Sequence, residues 1–227
     1  MSAPASGTDR SPETTVVDLH AHSRFFHRPP EQLAGYDPVG VAMATGIGRL
    51  RGVDQVALTN HNFHRAKLQT ERTLPGIEVS TTAGHVLVVG PDPPERTEPG
   101  TLTPAETVAL AHDRGCAAII AHPFRHSTVA ESGADFDAVE LNGKRPERRD
   151  RVEALASELG LPVVGGSDAH LPVEVGRVAT VVGTAEPTPE AVVAAIRRGE
   201  VAPVERRSPV DRAIQLSYRG YHGLQGH

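Results

Sequence analysis

Two residue pairs with a spacing of two, His20/His22 in D-L-H-A-H and Asp168/His170 in S-D-A-H, carry side chains that bind divalent ions. Each pair follows an apolar run, TTVVDL and LPVVGG. Residues two apart in a strand share a face, so both imidazoles of the first pair, and Asp18 with them, point into one space. His61 ends the run DQVALTN, Glu78 lies in LPGIEVS, His85 opens GHVLVVG and His122 ends CAAIIAHP. Four separate strand ends thus supply imidazole, and Glu78 and Asp168 add carboxylate. That is the ligand set of Zn²⁺, Mn²⁺ and Fe²⁺, and it exceeds what one ion needs, so two or three ions is the natural count. Several ions suit phosphate ester hydrolysis, in which one activates a water and others hold the phosphate and leaving oxygens.

A single strand-end histidine is ordinarily a hydrogen-bonded core or surface residue; the concurrence of the pairs with three further strand-end histidines carries the reading. Of the twelve histidines, His27 in SRFFHRPP reads equally as ligand or surface residue on spacing alone. His64, His112, His126, His222 and His227 read as helix, loop or tail residues. Asp18 is placed to orient His20 through its second ring nitrogen. Phosphate needs positive charge beyond the ions: Arg24 and Arg125 lie two and three residues past a ligand candidate, and Lys144 and Arg145 follow the strand end at Asn142. Surface ion pairing is the alternative for each, and the remaining arginines of R-P-E-R-R-D-R read as a solvated helix face.

The elements that must position these groups alternate. Strands are expected at TTVVDLH, DQVALTN, LPGIEVST with GHVLVVG as a hairpin, CAAIIAHP, DAVELNG, LPVVGG and VGRVATVVG. Helices are expected from Asp37-Pro38 to about Gly52, from Thr103-Pro104 through Arg114, from Pro146 to the stop at Gly160, and from Thr188-Pro189 through TPEAVVAAIRRGE, with one more short helix over 208–216. This order predicts an α/β barrel-like or open parallel sheet, in which chemistry sits at the carboxyl ends of strands.

The chain of 227 residues is long enough for one domain, expected over 15–217 between a tail at 1–14 and a Gly-rich tail at 218–227. It has no eighteen-residue apolar run and no basic-then-apolar start, so the cytoplasm is the expected location and no membrane partner is expected. Cys116 is alone and reads as inert packing. A formal net charge of -5 argues against an extended nucleic-acid surface and for a small phosphorylated substrate. No apolar patch in the sequence marks an oligomer interface.

The pieces DLHAHS, ALTNHN, LPGIEVS with GHVLVVG, AHPFR, VELNG and GGSDAH, in this order from about Val16 to Thr180, resemble the PHP (polymerase and histidinol phosphatase) superfamily of metal-dependent phosphoesterases. The resemblance implies a distorted, TIM-barrel-like (β/α)7 barrel with its metal centre at the carboxyl ends of the strands. It implies a first ion on the positions of His20, His22, Glu78 and Asp168, and a second shared through Glu78 with His85 and His122. A third, where present, falls to His27, His61 and His170. The T-N-H here replaces the family's T-D-H, which makes Asn60 a supporting residue that alters the charge of the third site.

The function expected on these grounds is hydrolysis of a small phosphomonoester by a metal-activated water, with Glu78, Asp168 and His170 in support and Mn, Zn or Fe as the ions. The alternatives are a phosphodiesterase or 3′–5′ exonuclease on nucleotides or short oligonucleotides, hydrolysis of an amide or lactone, and a non-catalytic metal-binding regulatory module. The carboxylated lysine of amide-hydrolysing barrels has no clear counterpart, and the near-complete ligand set leaves the non-catalytic reading little support.

Overall fold

The computed structural model of the protein describes residues 13–23 and 37–206. The expected helix over 208–216, both tails, Arg24, His27, His222 and His227 lie outside the described residues. The chain enters on β1 (Thr15–Ala21), buried along its whole length, and passes through α1 (Asp37–Leu50) to β2 (Gln55–Leu58) and β3 (Thr73–Thr81). β4 (Gly84–Val89), α2 (Pro104–Asp113), β5 (Ala117–Ile120), β6 (Ala138–Asn142), α3 (Arg149–Leu159) and β7 (Val163–Gly166) follow. β8 (Val178–Val182), α4 (Pro189–Arg197) and β9 (Val201–Glu205) complete the described chain. The helix starts behave as their residues dictate. Thr103 and Glu106 form a reciprocal capping box on α2 with Pro104 behind it, and Thr188 caps α4 ahead of Pro189. α3 begins three residues later than Pro146, after a short 3-10 turn over Pro146–Arg148, and ends as expected on Gly160 in the left-handed region.

The sheet order is β7-β6-β5-β4-β3-β2-β1-β8-β9. Pairs β1/β2, β2/β3, β5/β6 and β6/β7 are parallel, while β4 runs antiparallel to both its neighbours because a tight hairpin, not a helix, joins it to β3. The chain just beyond β7 returns to β1: Asp168 N donates to His20 O at 2.7 Å, and His22 N to Ala169 O at 3.1 Å. The seven strands therefore close where the carboxyl end of β7 meets that of β1, and this is the distorted (β/α) barrel. Lower down, β8 pairs antiparallel with β1, and Thr180 Oγ1 bridges to the backbone of Gly165. A side chain at Gly165 would meet Ala179 O at 2.3 Å, so the closure needs glycine there.

β9 was not anticipated. Pro203 in its middle demotes the stretch as a strand, yet β9 lies at the edge of the sheet, where a missing backbone donor is tolerated. Val192, Val193 and Ile196 of α4 join Leu74, Leu87, Ile119 and Val164 in one buried cluster. α2 and α3 cover Val86, Val88, Ile120, Val139 and Leu141, and Ala44 of α1 packs on Val16 and Val56. These layers leave the carboxyl ends of β1, β2, β3, β5, β6 and β7 converging on one space. No helix among the described residues is long and apolar enough to cross a membrane.

Candidate metal centre

Glu78 stands at the middle of that space, fully buried. Its Oε2 lies 3.3 Å from His20 Nε2, 3.5 Å from His22 Nε2 and 2.9 Å from His61 Nδ1. Its Oε1 lies 2.7 Å from His85 Nδ1 and 3.0 Å from His122 Nε2. Asp168 Oδ1 is 3.7 Å from His20 Nε2, 3.5 Å from His22 Nε2 and 3.2 Å from His170 Nδ1. The strand periodicity accounts for the pairs, and two local devices add to it. A bulge in β1 falls between Asp18 and Ala21, and the bridge between His61 and Glu78 prolongs the β2/β3 pairing past the strand end. Positive φ values at non-glycine residues among those described occur at Asn62, His122 and Asp168, just past these strand ends, and at His126 in the loop after β5. Such backbone costs of order 1–3 kcal/mol per residue and is held only where the surroundings enforce it.

These residues fit divalent ions on a physical criterion. His20 Nε2 and His22 Nε2 are buried atoms with no hydrogen-bond partner, and His20, His22 and Glu78 offer ligand atoms that lie within 4.8 Å of one another. Leaving such atoms unmet is costly unless an ion accepts their lone pairs. Ligand bonds near 2.1 Å give a tetrahedron with edges of about 3.4 Å. The separations of 3.3, 3.5, 3.5 and 3.7 Å that link His20 and His22 to Glu78 and Asp168 match that edge. Two further groups, His61/Glu78/His85 and His22/His61/His170, have their ligand atoms equally close.

The electrostatics point the same way. Burial disfavours a cation at His20, but Glu140, Glu78 and Asp168 overcome it and hold its pKa well above the ordinary value. His22 is driven well below by burial. For Glu78 and Asp168 burial alone would favour the neutral acid, yet the surrounding imidazoles, His20 foremost, hold both well below the usual range.

The supporting residues only partly follow expectation. Asp18 does not orient His20. Its Oδ1 accepts from Ser167 N at 2.9 Å and His20 N at 3.2 Å, its Oδ2 accepts from Gly176 N at 2.8 Å, and burial raises its pKa to about 6. The partner of His20 Nδ1 is Glu140 Oε1 at 2.7 Å, a residue the sequence reading passed over. A charged residue between Val139 and Leu141 in an apolar strand, two before Asn142, was the available signal. Asn142 Nδ2 donates to Glu140 Oε2 and to Asp168 Oδ2, both at 3.2 Å. Asn60 Oδ1 accepts from Ser23 N at 3.0 Å and so ties the ends of β1 and β2 together.

A cavity of about 340 Å³ opens over the cluster, lined in part by His61, His85, His122, His170, Arg125 and His126. Arg125 is 59% exposed, with Nη1 3.3 Å from Asp168 Oδ2, and Lys144 Nζ lies 3.0 Å from His170 Nδ1. Arg145 is not brought to the site: it is solvent-exposed, with Glu147 Oε1 at 3.7 Å, because the 3-10 turn directs it along the surface. His126, read as bland, lines the cavity, since the left-handed backbone at its Cα turns the loop back over the opening. His112, by contrast, pairs with Asp137 at 2.9 Å, and His64 Nδ1 meets Gly76 O at 3.3 Å.

Comparison with known proteins agrees with this picture. The PHP-associated family matches residues 146–201. No curated protein matches the sequence. Among solved structures, PsfC from Pseudomonas syringae PB-5123 is 19% identical, with a TM-score of 0.69 over 93% of this chain and 99% of that one. A two-domain protein from Bacteroides vulgatus ATCC 8482, described as containing a predicted PHP-like metal-dependent phosphoesterase, is 19% identical, with a TM-score of 0.58 over 85% of this chain and 65% of that one. The lesion-specific endonuclease PfuEndoQ from Pyrococcus furiosus is 17% identical, with a TM-score of 0.57 over 84% of this chain and 57% of that one. The chain thus spans less than two thirds of the latter two. At these identities the likeness establishes the fold. Fold, family match and ligand clusters together support the resemblance to the PHP superfamily and a metal-dependent hydrolase. They also overturn one expectation. Endonuclease Q, of the same fold, holds a 27-mer duplex with an abasic lesion at its active site, so an overall charge of -5 is no ground for denying this fold a nucleic-acid surface. Net charge averages over the whole molecule, whereas binding responds to the local field.

Proposed function

We propose that this PHP-type chain is a metal-dependent phosphoesterase, with phosphodiesters of nucleotides or nucleic acid as its first substrate class. The observation that carries the reading is the division of Glu78, whose two oxygens face two different sets of imidazoles. On this reading His20, His22, Glu78 and Asp168 would hold one ion of Mn, Zn or Fe, and Glu78, His85 and His122 would hold a second. His61 and His170 are the ligands left for a third, with His22 beside them. Such ions, when bound, activate a water and offset charge on the phosphoryl oxygens. The chain's own part is to hold those positions rigid and to bring cations to the opening. Arg125 presents a planar guanidinium to phosphate oxygens from the cavity wall. Lys144 adds a second charge beside His170, with Nζ 3.0 Å from His170 Nδ1; where no third ion is held, His170 is the imidazole available as general acid toward the leaving oxygen.

The diester is placed first because the shared fold takes duplex nucleic acid in Endonuclease Q and because Arg125 stands exposed at the opening. A small phosphomonoester is the second reading, favoured by a cavity of about 340 Å³, large enough for a small phosphorylated molecule. The test is turnover by protein reconstituted separately with Mn²⁺, Zn²⁺ and Fe²⁺. The panel is bis(p-nitrophenyl) phosphate, p-nitrophenyl phosphate, sugar phosphates, nucleoside bisphosphates and a short oligonucleotide. Diester cleavage ahead of monoester cleavage is expected. Monoester turnover alone would move the assignment to the second reading, and silence with every ion bound would overturn both.

A further inference from the structure

Glu140 lies in the middle of β6, fully buried, with Val139 and Leu141 turned into the apolar cluster under α3. A lone carboxylate in such a place is costly, and its hydrogen bonds show where the cost is met. Oε1 accepts from His20 Nδ1 at 2.7 Å; Oε2 accepts from the backbone N–H of His122 at 2.7 Å and from Asn142 Nδ2 at 3.2 Å. His20 and His122 belong to opposite halves of the centre, the first beside Glu78 Oε2 and the second beside Glu78 Oε1. Their rings stack with centroids 6.0 Å apart. His122 is held at a φ of 27°, a backbone conformation that a non-glycine residue adopts only under constraint, and the bond from its N–H to Glu140 is one such constraint.

We infer that Glu140 is a positioning residue that ties the two halves of the metal centre to each other; the inference rests on the reading of Glu78 as the bridging ligand. One carboxylate fixes the ring of His20 on one side and the backbone of His122 on the other, so two ions held there would share their placement through β6 as well as through Glu78. By accepting at His20 Nδ1 it leaves Nε2 as the atom that faces the ion. Every contact at both oxygens is with a donor, so the position requires two acceptors. Glutamine offers only one; its NH₂ group would face a donor on whichever side it took.

The experiment compares wild type with Glu140→Gln and Glu140→Asp, after circular dichroism and melting have established that each is folded. Zn²⁺ and Mn²⁺ content and affinity are read by elemental analysis and calorimetry, and the environment of each ion by the visible spectrum of the Co²⁺-loaded protein. Glu140→Gln is expected to lose at least about tenfold in affinity for one ion, in the range of partners that orient a ligand, and to change the Co²⁺ spectrum. Glu140→Asp, one methylene shorter and unable to reach both sides, is expected to weaken at least one ion as well. As a check that needs no variant, the long-range ¹H–¹⁵N spectrum of zinc-loaded wild type is expected to show the His20 proton on Nδ1. Unchanged ion affinity and spectrum in a folded Glu140→Gln protein, even with a lowered melting temperature, would overturn the inference and leave Glu140 a structural residue. A wild type that binds no divalent ion would overturn the metal-centre reading and this inference with it.

Discussion

Glu140 Oε1 and His20 Nδ1 lie 2.7 Å apart across the barrel, although 120 residues separate them in the chain. The contact exists because the chain past β7 closes the barrel against β1 and brings β6 within one strand of it. Gly166, between them, makes the approach feasible: a Cβ there would stand 2.4 Å from the His20 Cβ and 2.5 Å from Glu140 Oε1. Gly166→Ala is therefore expected to cost about 1–3 kcal/mol of stability by overpacking. It should also weaken ion binding by displacing His20. Chemical denaturation and elemental analysis of the same preparation check the two effects.

Glu78 contacts His20, His22, His61, His85 and His122, so its loss has no local remedy. Glu78→Gln is expected to lower hydrolysis by more than about 100-fold, beyond the effect of losing an outer partner, with ion content reduced in the folded protein. Full activity with added metal would contradict the bridging role.

Proton release accompanies ion binding if His20 is charged in the ion-free protein, as its raised pKa requires. The ion and the proton compete for Nε2, so apparent affinity should fall as pH is lowered, and calorimetry in buffers of different ionisation heat should show protons leaving the protein. The sign for stability follows. A histidine raised in the folded state adds stability that is complete below its ordinary value of 6.5 and is lost as pH rises through the folded value. The ion-free protein should therefore melt lower on the alkaline side, and the ion-loaded protein should not.

Arg125 places charge at the opening, with its side chain 59% exposed and Nη1 3.3 Å from Asp168 Oδ2. Arg125→Ala is expected to raise KM by about tenfold, a loss of about 1.4 kcal/mol, with ion content unchanged. A fall in ion content would show that the guanidinium acts through Asp168 instead.

Thr103→Ala serves as a control far from the chemistry. Removing the capping box of α2 should cost about 1 kcal/mol of stability while leaving ion content and turnover intact.

Spacing alone determined a good deal of this. The pairs His20/His22 and Asp168/His170 share a face because strand periodicity is two, and a strand's end is legible from the apolar run before it. Helix starts at Thr103 and Thr188 were equally local, since a cap is written in four residues. What the sequence could not contain was partner choice across the barrel. Asp18 and Glu140 are both carboxylates in apolar strands, and either could have oriented His20 by residue type. Closure of β7 on β1 turned Asp18 toward the amides of Ser167 and Gly176 and left the ring nitrogen to Glu140. The loop after β5, left-handed at His126, set that residue over the cavity, while the turn after β6 sent Arg145 along the surface. Periodicity is a property of a few neighbouring residues, whereas a hydrogen bond between distant strands depends on register and bulges, which emerge only when the whole sheet packs.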